Sequence, residues 1–223
     1  MAGKDAQPNT AFEWPMYADA TLAGLSVLVP VPFLDDVFEG FFRRRMTRTI
    51  ARGRGVTLPD AVQKEIGVGE GHWLAGCLLL PVRLFLELLK KLSRKLLYFL
   101  TIKESSEQLS YYWHRAFLLD YMIASGHLDS VEFARIAKAA MEQVLEATGT
   151  PLTTVARQVI SRSHHALRTL RRAREGQEDE EIQQARQEMA ARWGEFAQHL
   201  EGVARHYDAQ REALFTAAIG LPA

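Results

Sequence analysis

The chain has 223 residues, 48% of them hydrophobic, with 27 Lys plus Arg against 27 Asp plus Glu. That length suits one large domain or two small ones, and that apolar share excludes wholesale disorder. The balanced charge argues neither for nor against nucleic acid, and the one cysteine, Cys77, excludes an intrachain disulfide framework and fits a reducing compartment.

Charge is unevenly placed along the chain. Residues 41–54 and 83–95 are strongly basic, and residues 175–188 are mostly acidic. No signal peptide is expected, because Asp5, Glu13 and Asp19 precede the first apolar run and a basic leader is missing. That run, Ala20 to Leu34, holds Pro30 and Pro32, whereas a spanning helix needs about 20 apolar residues in a row. The chain is therefore expected to be cytoplasmic, without an ordinary transmembrane helix. A re-entrant or surface-bound segment stays open.

Residues 1–14 are expected to be a flexible N-terminus. Pro15 suits the first turn of a first helix, which should end before Pro30, since the residue preceding a proline disfavours the helical region. Pro32 opens a second helix. Asp35, Asp36 and Glu39 fall early in it and Arg43, Arg44, Arg45, Arg48 and Arg52 late, which matches the helix dipole. Leu34, Val37, Phe38, Phe41, Met46 and Ile50 give it an apolar face, and Gly53 and Gly55 stop it. Pro30 and Pro32 are expected to turn the apolar run back on itself between the two helices. Thr57 is expected to cap a short helix through Ile66, followed by a glycine-rich loop.

His72 to Ile102 is the most informative stretch. It opens on an uncharged run, Trp73 to Val82, and passes through Pro81 into a strongly amphipathic helix. At about 100° per residue, Phe85, Leu88, Leu89, Leu92, Leu96, Phe99 and Leu100 share one face. Arg83, Glu87, Lys90, Lys91 and Arg94 share the other, with Lys95 beside them. Such a helix either lines a core or lies on a membrane.

Ser105 or Ser106 is expected to cap the next helix, which ends at Gly126. Asp129 with Glu132 three residues on reads as a capping box for a helix to about Ala147. Thr150-Pro151 begins another, to about Arg174, and a last long helix runs from about Glu181 to Phe215. Its apolar residues keep 3/4 spacing: Ile182, Ala185, Met189, Trp193, Phe196, Leu200, Val203, Tyr207 and Leu214. Two long helices joined by a short polar turn predict an antiparallel hairpin. The fold class is all-α, a multi-helix bundle with a long C-terminal antiparallel hairpin. An apolar, basic region, 15–125, precedes the hairpin region, 126–223, or the two make one continuous domain.

No catalytic signature stands out. P-loop, GxGxxG, GxSxG, HExxH and paired Cys-x-x-Cys patterns are all missing from the sequence, which weighs against nucleotide hydrolysis, serine hydrolysis and a zinc site. His164 and His165 are adjacent, so on a helix they point about 100° apart and poorly share a metal. Glu195 and His199 share a face, but the Glu-x-x-His spacing of a di-metal bundle is absent, and a surface ion pair is the simpler reading. Cys77, in an apolar run, reads as a buried inert thiol. Tyr111, Tyr112, Trp113 and His114 form an aromatic cluster, suited to stacking a ligand, to a membrane interface or, most simply, to helix packing. No catalytic, metal or cofactor-binding residue is assigned, and no cofactor is expected. The arginines at 43, 44, 45, 48, 52 and 54 lack a recognition-helix arrangement, so no nucleic acid is expected. Lys and Arg opposite Leu and Phe is instead the pattern of an interfacial anchor.

Residues 25–58 resemble one half of a bacterial helical domain that is membrane-associated, found alone or fused to some small GTPases, and akin to EcsC-like proteins. Pro30, Pro32, Phe33, Asp35, Met46, Ile50, Ala51, Gly55, Val56 and Leu58 carry the resemblance. It implies inner-membrane association and no catalysis of the domain's own. The expected protein is a non-enzymatic scaffold or adaptor, peripheral to the inner face of the membrane. Its expected membrane-binding residues are Arg83, Phe85, Leu89, Lys90, Lys91, Leu92, Arg94, Lys95, Leu96 and Phe99, facing an anionic surface. Met189, Phe196, Tyr207 and Leu214 are the expected contacts for a protein partner or a second copy. The alternatives are a soluble helical bundle with a buried ligand or an unrecognised enzymatic site, and a soluble self-associating scaffold.

Overall fold

The computed structural model describes residues 8–10, 13–24, 34–67, 102–147 and 197–218. These residues form six α-helices and no strand: α1 Trp14–Gly24, α2 Leu34–Gly53, α3 Asp60–Gly67, α4 Ile102–Ala124, α5 Val131–Ala147 and α6 Ala197–Ala218. The protein is all-α over this part, as its helical periodicities predict.

α4 is the hub. α1, α2, α5 and α6 all pack on it, and α3 bridges α2 and α5. The reason lies in its sequence: Leu109, Trp113, Phe117, Leu118, Leu119 and Met122 are all fully buried and point in every direction around the helix. A helix apolar all round has to be enclosed. One hydrophobic cluster then runs from Met16 on α1 to Tyr207 on α6.

Contacts set the directions. Thr21 and Gly24 of α1 meet Trp113 and Leu109 of α4 respectively, so these helices are antiparallel. Glu39 and Arg54 meet Tyr112 and Asp120, so the α2 segment runs parallel to α4. α1 and α2 are therefore antiparallel, and Asp19 on α1 reaches Arg45 and Thr49 on α2. The expected bend at Pro30 and Pro32, in residues 25–33, lies outside the described residues. The α1–α4 approach is close: a Cβ on Gly24 would lie 2.7 Å from the Leu109 Cα.

The glycine stops act as expected. Gly55 and Gly126 have φ of 67° and 70°, the left-handed region. Val56 N–H donates to Ala51 O at 2.9 Å and Gly55 N–H to Arg52 O at 3.0 Å, closing α2. His127 N–H donates to Met122 O and Gly126 N–H to Ile123 O in the same way, closing α4.

Three helix starts differ from expectation. α3 begins at Asp60, not at Thr57, because the Pro59 carbonyl takes the first helical bond, from Gln63, whose side chain also covers the Leu58 carbonyl at 2.7 Å. α4 begins at Ile102, so Ser105 and Ser106 lie within it; Lys103 and Glu104 are good helix formers and extend the first turn ahead of them. α5 is capped by Ser130, whose hydroxyl accepts the Phe133 N–H at 3.2 Å, not by Asp129. Asp129 instead leans toward Gly126. On α2, Phe42 is fully buried and Phe41 only half-buried, so the inward stripe runs through Phe42, Met46 and Ile50.

The first helix of the expected hairpin and residues 181–196 of the second lie outside the described residues. The described part of the second, α6, packs on α5 and α4 through Leu200, Val203, Ala204 and Tyr207. Among the described residues no helix is long and apolar enough to cross a membrane.

Candidate functional site

An enclosed helix leaves its polar side chains nowhere to go but the interior. Ser110, His114, Arg115 and Asp120 of α4 are all buried, and each needs a partner or carries a desolvation cost.

Toward α1 and α2 the buried carboxylates are partnered. Arg54 grips Asp120 through Nε at 2.6 Å and through Nη2, a two-point fork. The buried Asp19 carboxylate takes Arg45 at 3.2 Å and the Thr49 hydroxyl at 2.8 Å. Trp113 Nε1–H donates to the Thr21 hydroxyl at 2.9 Å, which in turn donates to the Tyr17 carbonyl at 2.8 Å.

Between α2, α3 and α4 the guanidiniums are only partly partnered among the described residues. The Tyr112 hydroxyl donates to Glu39, which also faces Arg43 at 3.5 Å. Arg115 is 1% exposed, and its Nη2 donates to the Ile66 carbonyl at 3.0 Å, at the end of α3. Its Nε and Nη1, and the Nε of Arg43, are buried and meet no hydrogen-bond partner among the described residues. Burial pushes the Arg115 guanidinium below its ordinary pKa, the charge of Arg43 adds to this, and the neighbouring Tyr111 and Tyr112 oppose it. Burial first, and then the Glu39 charge, push the Tyr112 phenol up.

The α6 side of α4 is a ladder of titratable pairs. His114 Nδ1 lies 2.8 Å from the Ser110 carbonyl, and its Nε2 lies 2.9 Å from His199 Nε2. A carbonyl only accepts, so in the neutral ring Nδ1 carries the proton and Nε2 accepts from His199. About two turns further, Tyr121 donates to Asp208 at 2.7 Å, and His127 Nδ1 meets the Tyr207 hydroxyl at 3.1 Å. Burial lowers the pKa of His114 to about 4, with the backbone bond opposing and His199 adding to the drop. Burial and then Arg211 lower His127 to about 4 as well, and burial lowers His199.

Tyr112, Trp113 and His114 of the aromatic cluster are buried and Tyr111 half-buried, so the cluster packs helices together. The arginines of α2 divide. Arg43 turns to the half-buried Glu39, Arg45 and, just past the helix end, Arg54 turn to buried aspartates, while Arg44, Arg48 and Arg52, four residues apart, are exposed along one face. Arg48 meets the neutral amide of Gln63 on α3 at 3.0 Å, and the next residue, Lys64, is also exposed.

The expected membrane-binding residues, Arg83 to Phe99, lie outside the described residues, as do Met189, Phe196, Glu195, His164, His165 and Cys77. Of the expected partner contacts, Tyr207 is fully buried against His127 and Tyr121 of its own chain, and Leu214 is half-buried against the same core. Sequence reasoning passed over Arg115 and Asp120. The signal was the largely apolar circumference of α4 from Leu109 on, which turns the charges of that part inward. Among the described residues no group of three or more His, Cys, Asp or Glu side chains is placed to hold a metal.

No protein-family model, curated protein or solved structure matches this chain. What the site can do follows from its own chemistry: the His114–His199 pair can pass a proton, and among the described residues the Arg43 and Arg115 guanidiniums face one carboxylate, Glu39.

Proposed function

We propose that this protein is a non-enzymatic helical scaffold or adaptor that associates peripherally with an anionic membrane surface. The observation that carries this reading is the exposed stripe of Arg44, Arg48 and Arg52 on α2, with exposed Lys64 on α3 next in sequence to Gln63, which Arg48 meets. None of these side chains belongs to the described hydrophobic core. Each cation near an anionic leaflet contributes about 1 kcal/mol, enough together for reversible attachment. The apolar segment 25–33 precedes α2, and the sequence holds a second basic and apolar stretch at 83–99. The resemblance of residues 25–58 to a membrane-associated helical domain points the same way.

Co-sedimentation of the full chain with vesicles tests it. Pelleting with vesicles containing phosphatidylglycerol, and not with pure phosphatidylcholine, is expected, with release at high salt because exposed charges are screened. No pelleting with either lipid would refute the reading. Tight binding to duplex DNA without vesicle binding would assign the stripe to nucleic acid instead.

A further inference from the structure

Among the described residues, the other buried charges are matched one to one: Asp19 with Arg45, and Asp120 with Arg54. Arg115 is the exception. It is 1% exposed, its guanidinium donates to one backbone carbonyl and stands at hydrogen-bonding range of Tyr111, and its Nε and Nη1 have no partner among the described residues. Arg43 approaches from α2 and brings a further buried, unpartnered Nε. The one carboxylate that meets them among the described residues, Glu39, is shared with the Tyr112 hydroxyl and stands at a long 3.5 Å from Arg43. Among the described residues, two guanidiniums, Arg115 fully buried and Arg43 partly so, face one carboxylate, and an unpaired buried ion costs several kcal/mol. An unsatisfied buried group of this kind marks the place of an anion.

We propose that Arg43 and Arg115, with Tyr111 beside them, form a binding site for one phosphate group. Two guanidiniums reaching in from different helices suit the oxygens of a tetrahedral oxoanion, which point in several directions, better than a planar carboxylate that one fork can hold. The site is independent of the exposed stripe: Arg43 and Arg115 face the interior between α2, α3 and α4, and Arg44, Arg48 and Arg52 face outward. The phosphate belongs either to a small free ligand or to a lipid headgroup.

The test is a melting titration of full-length protein, dialysed free of phosphate, with sodium phosphate, sodium acetate and sodium chloride at matched ionic strength. A parallel series uses detergent micelles with and without phosphatidic acid. Phosphate, or phosphatidic acid in micelles, is expected to raise the melting temperature saturably, with acetate and chloride flat. Saturation by inorganic phosphate identifies a free ligand, and a rise with phosphatidic acid alone identifies a headgroup. Arg115→Met should abolish the rise, and Arg43→Gln should weaken the affinity by roughly tenfold or more, the worth of one charge-assisted hydrogen bond. Arg48→Gln should leave it unchanged. Should Arg115→Met fail to fold, Arg43→Gln and Arg48→Gln decide the matter. No saturable rise with either phosphate source overturns the proposal. So does an equal rise with acetate, or one that survives both Arg43→Gln and Arg115→Met.

Discussion

At the scale of single residues, burial decides which half of an ion pair matters. Asp120 is 5% exposed at its side chain, and its partner Arg54 is 35% exposed. Removing the arginine strands a carboxylate in the core, while removing the aspartate leaves a guanidinium that can turn to water. Arg54→Ala should therefore cost about 3 kcal/mol and Asp120→Ala clearly less, by urea denaturation. Equal losses would mean that Asp120 has access to water. The histidines of the α4–α6 ladder respond to pH in the same spirit. His114 has an ordinary pKa of 6.5 and about 4 in the folded chain, so the unfolded chain binds its proton first as the solution is acidified. The stability this neutral ring contributes is whole above pH 6.5 and is lost progressively down to pH 4, about 3 kcal/mol in all. Denaturation midpoints across that window should fall steeply for the wild type and less steeply for His114→Gln. Identical slopes would show that His114 is not the group responding.

At the scale of elements, the close crossing of α1 and α4 rests on one missing side chain. A methyl on Gly24 would meet the Leu109 Cα at 2.7 Å and its Cδ1 at 2.8 Å, and backbone cannot swing aside as a flexible side chain can. Gly24→Ala should lower stability by roughly 1–3 kcal/mol, the usual cost of overpacking, even though alanine favours helix. A raised melting temperature would mean that α1 lies further from α4. Much of this level was legible in advance. The stops at Gly55 and Gly126 followed from glycine's access to positive φ, and the α6 stripe of Leu200, Val203 and Tyr207 from its 3/4 spacing. Helix starts were harder, because several residues near each one offer a capping oxygen: Ser130 caps α5 although Asp129 with Glu132 matched the capping pattern. Arg115 was hidden for another reason. A basic residue reads locally as surface, and only the whole circumference of α4 shows that this helix has no surface to offer.

At the scale of the whole molecule, basic side chains divide into two populations that composition cannot separate. Arg43, Arg45, Arg54 and Arg115 turn inward to organise the bundle, and Arg44, Arg48, Arg52 and Lys64 are left outside. A count of charges along residues 41–54 merges the two, because neighbouring residues on a helix point about 100° apart and only the packing says which direction is inward. The inward set fixes the position of α2 against α1 and α4, and that position in turn lines up the outward set as one stripe. The decisive measurement is the affinity of Arg48→Glu/Arg52→Glu/Lys64→Glu for vesicles containing phosphatidylglycerol, beside that of the wild type, with melting curves to confirm that both are folded. Reversing three exposed cations should weaken binding by roughly hundredfold or more, at about 1 kcal/mol for each cation lost, and leave the fold intact. An equal affinity for the two proteins would contradict attachment through this face.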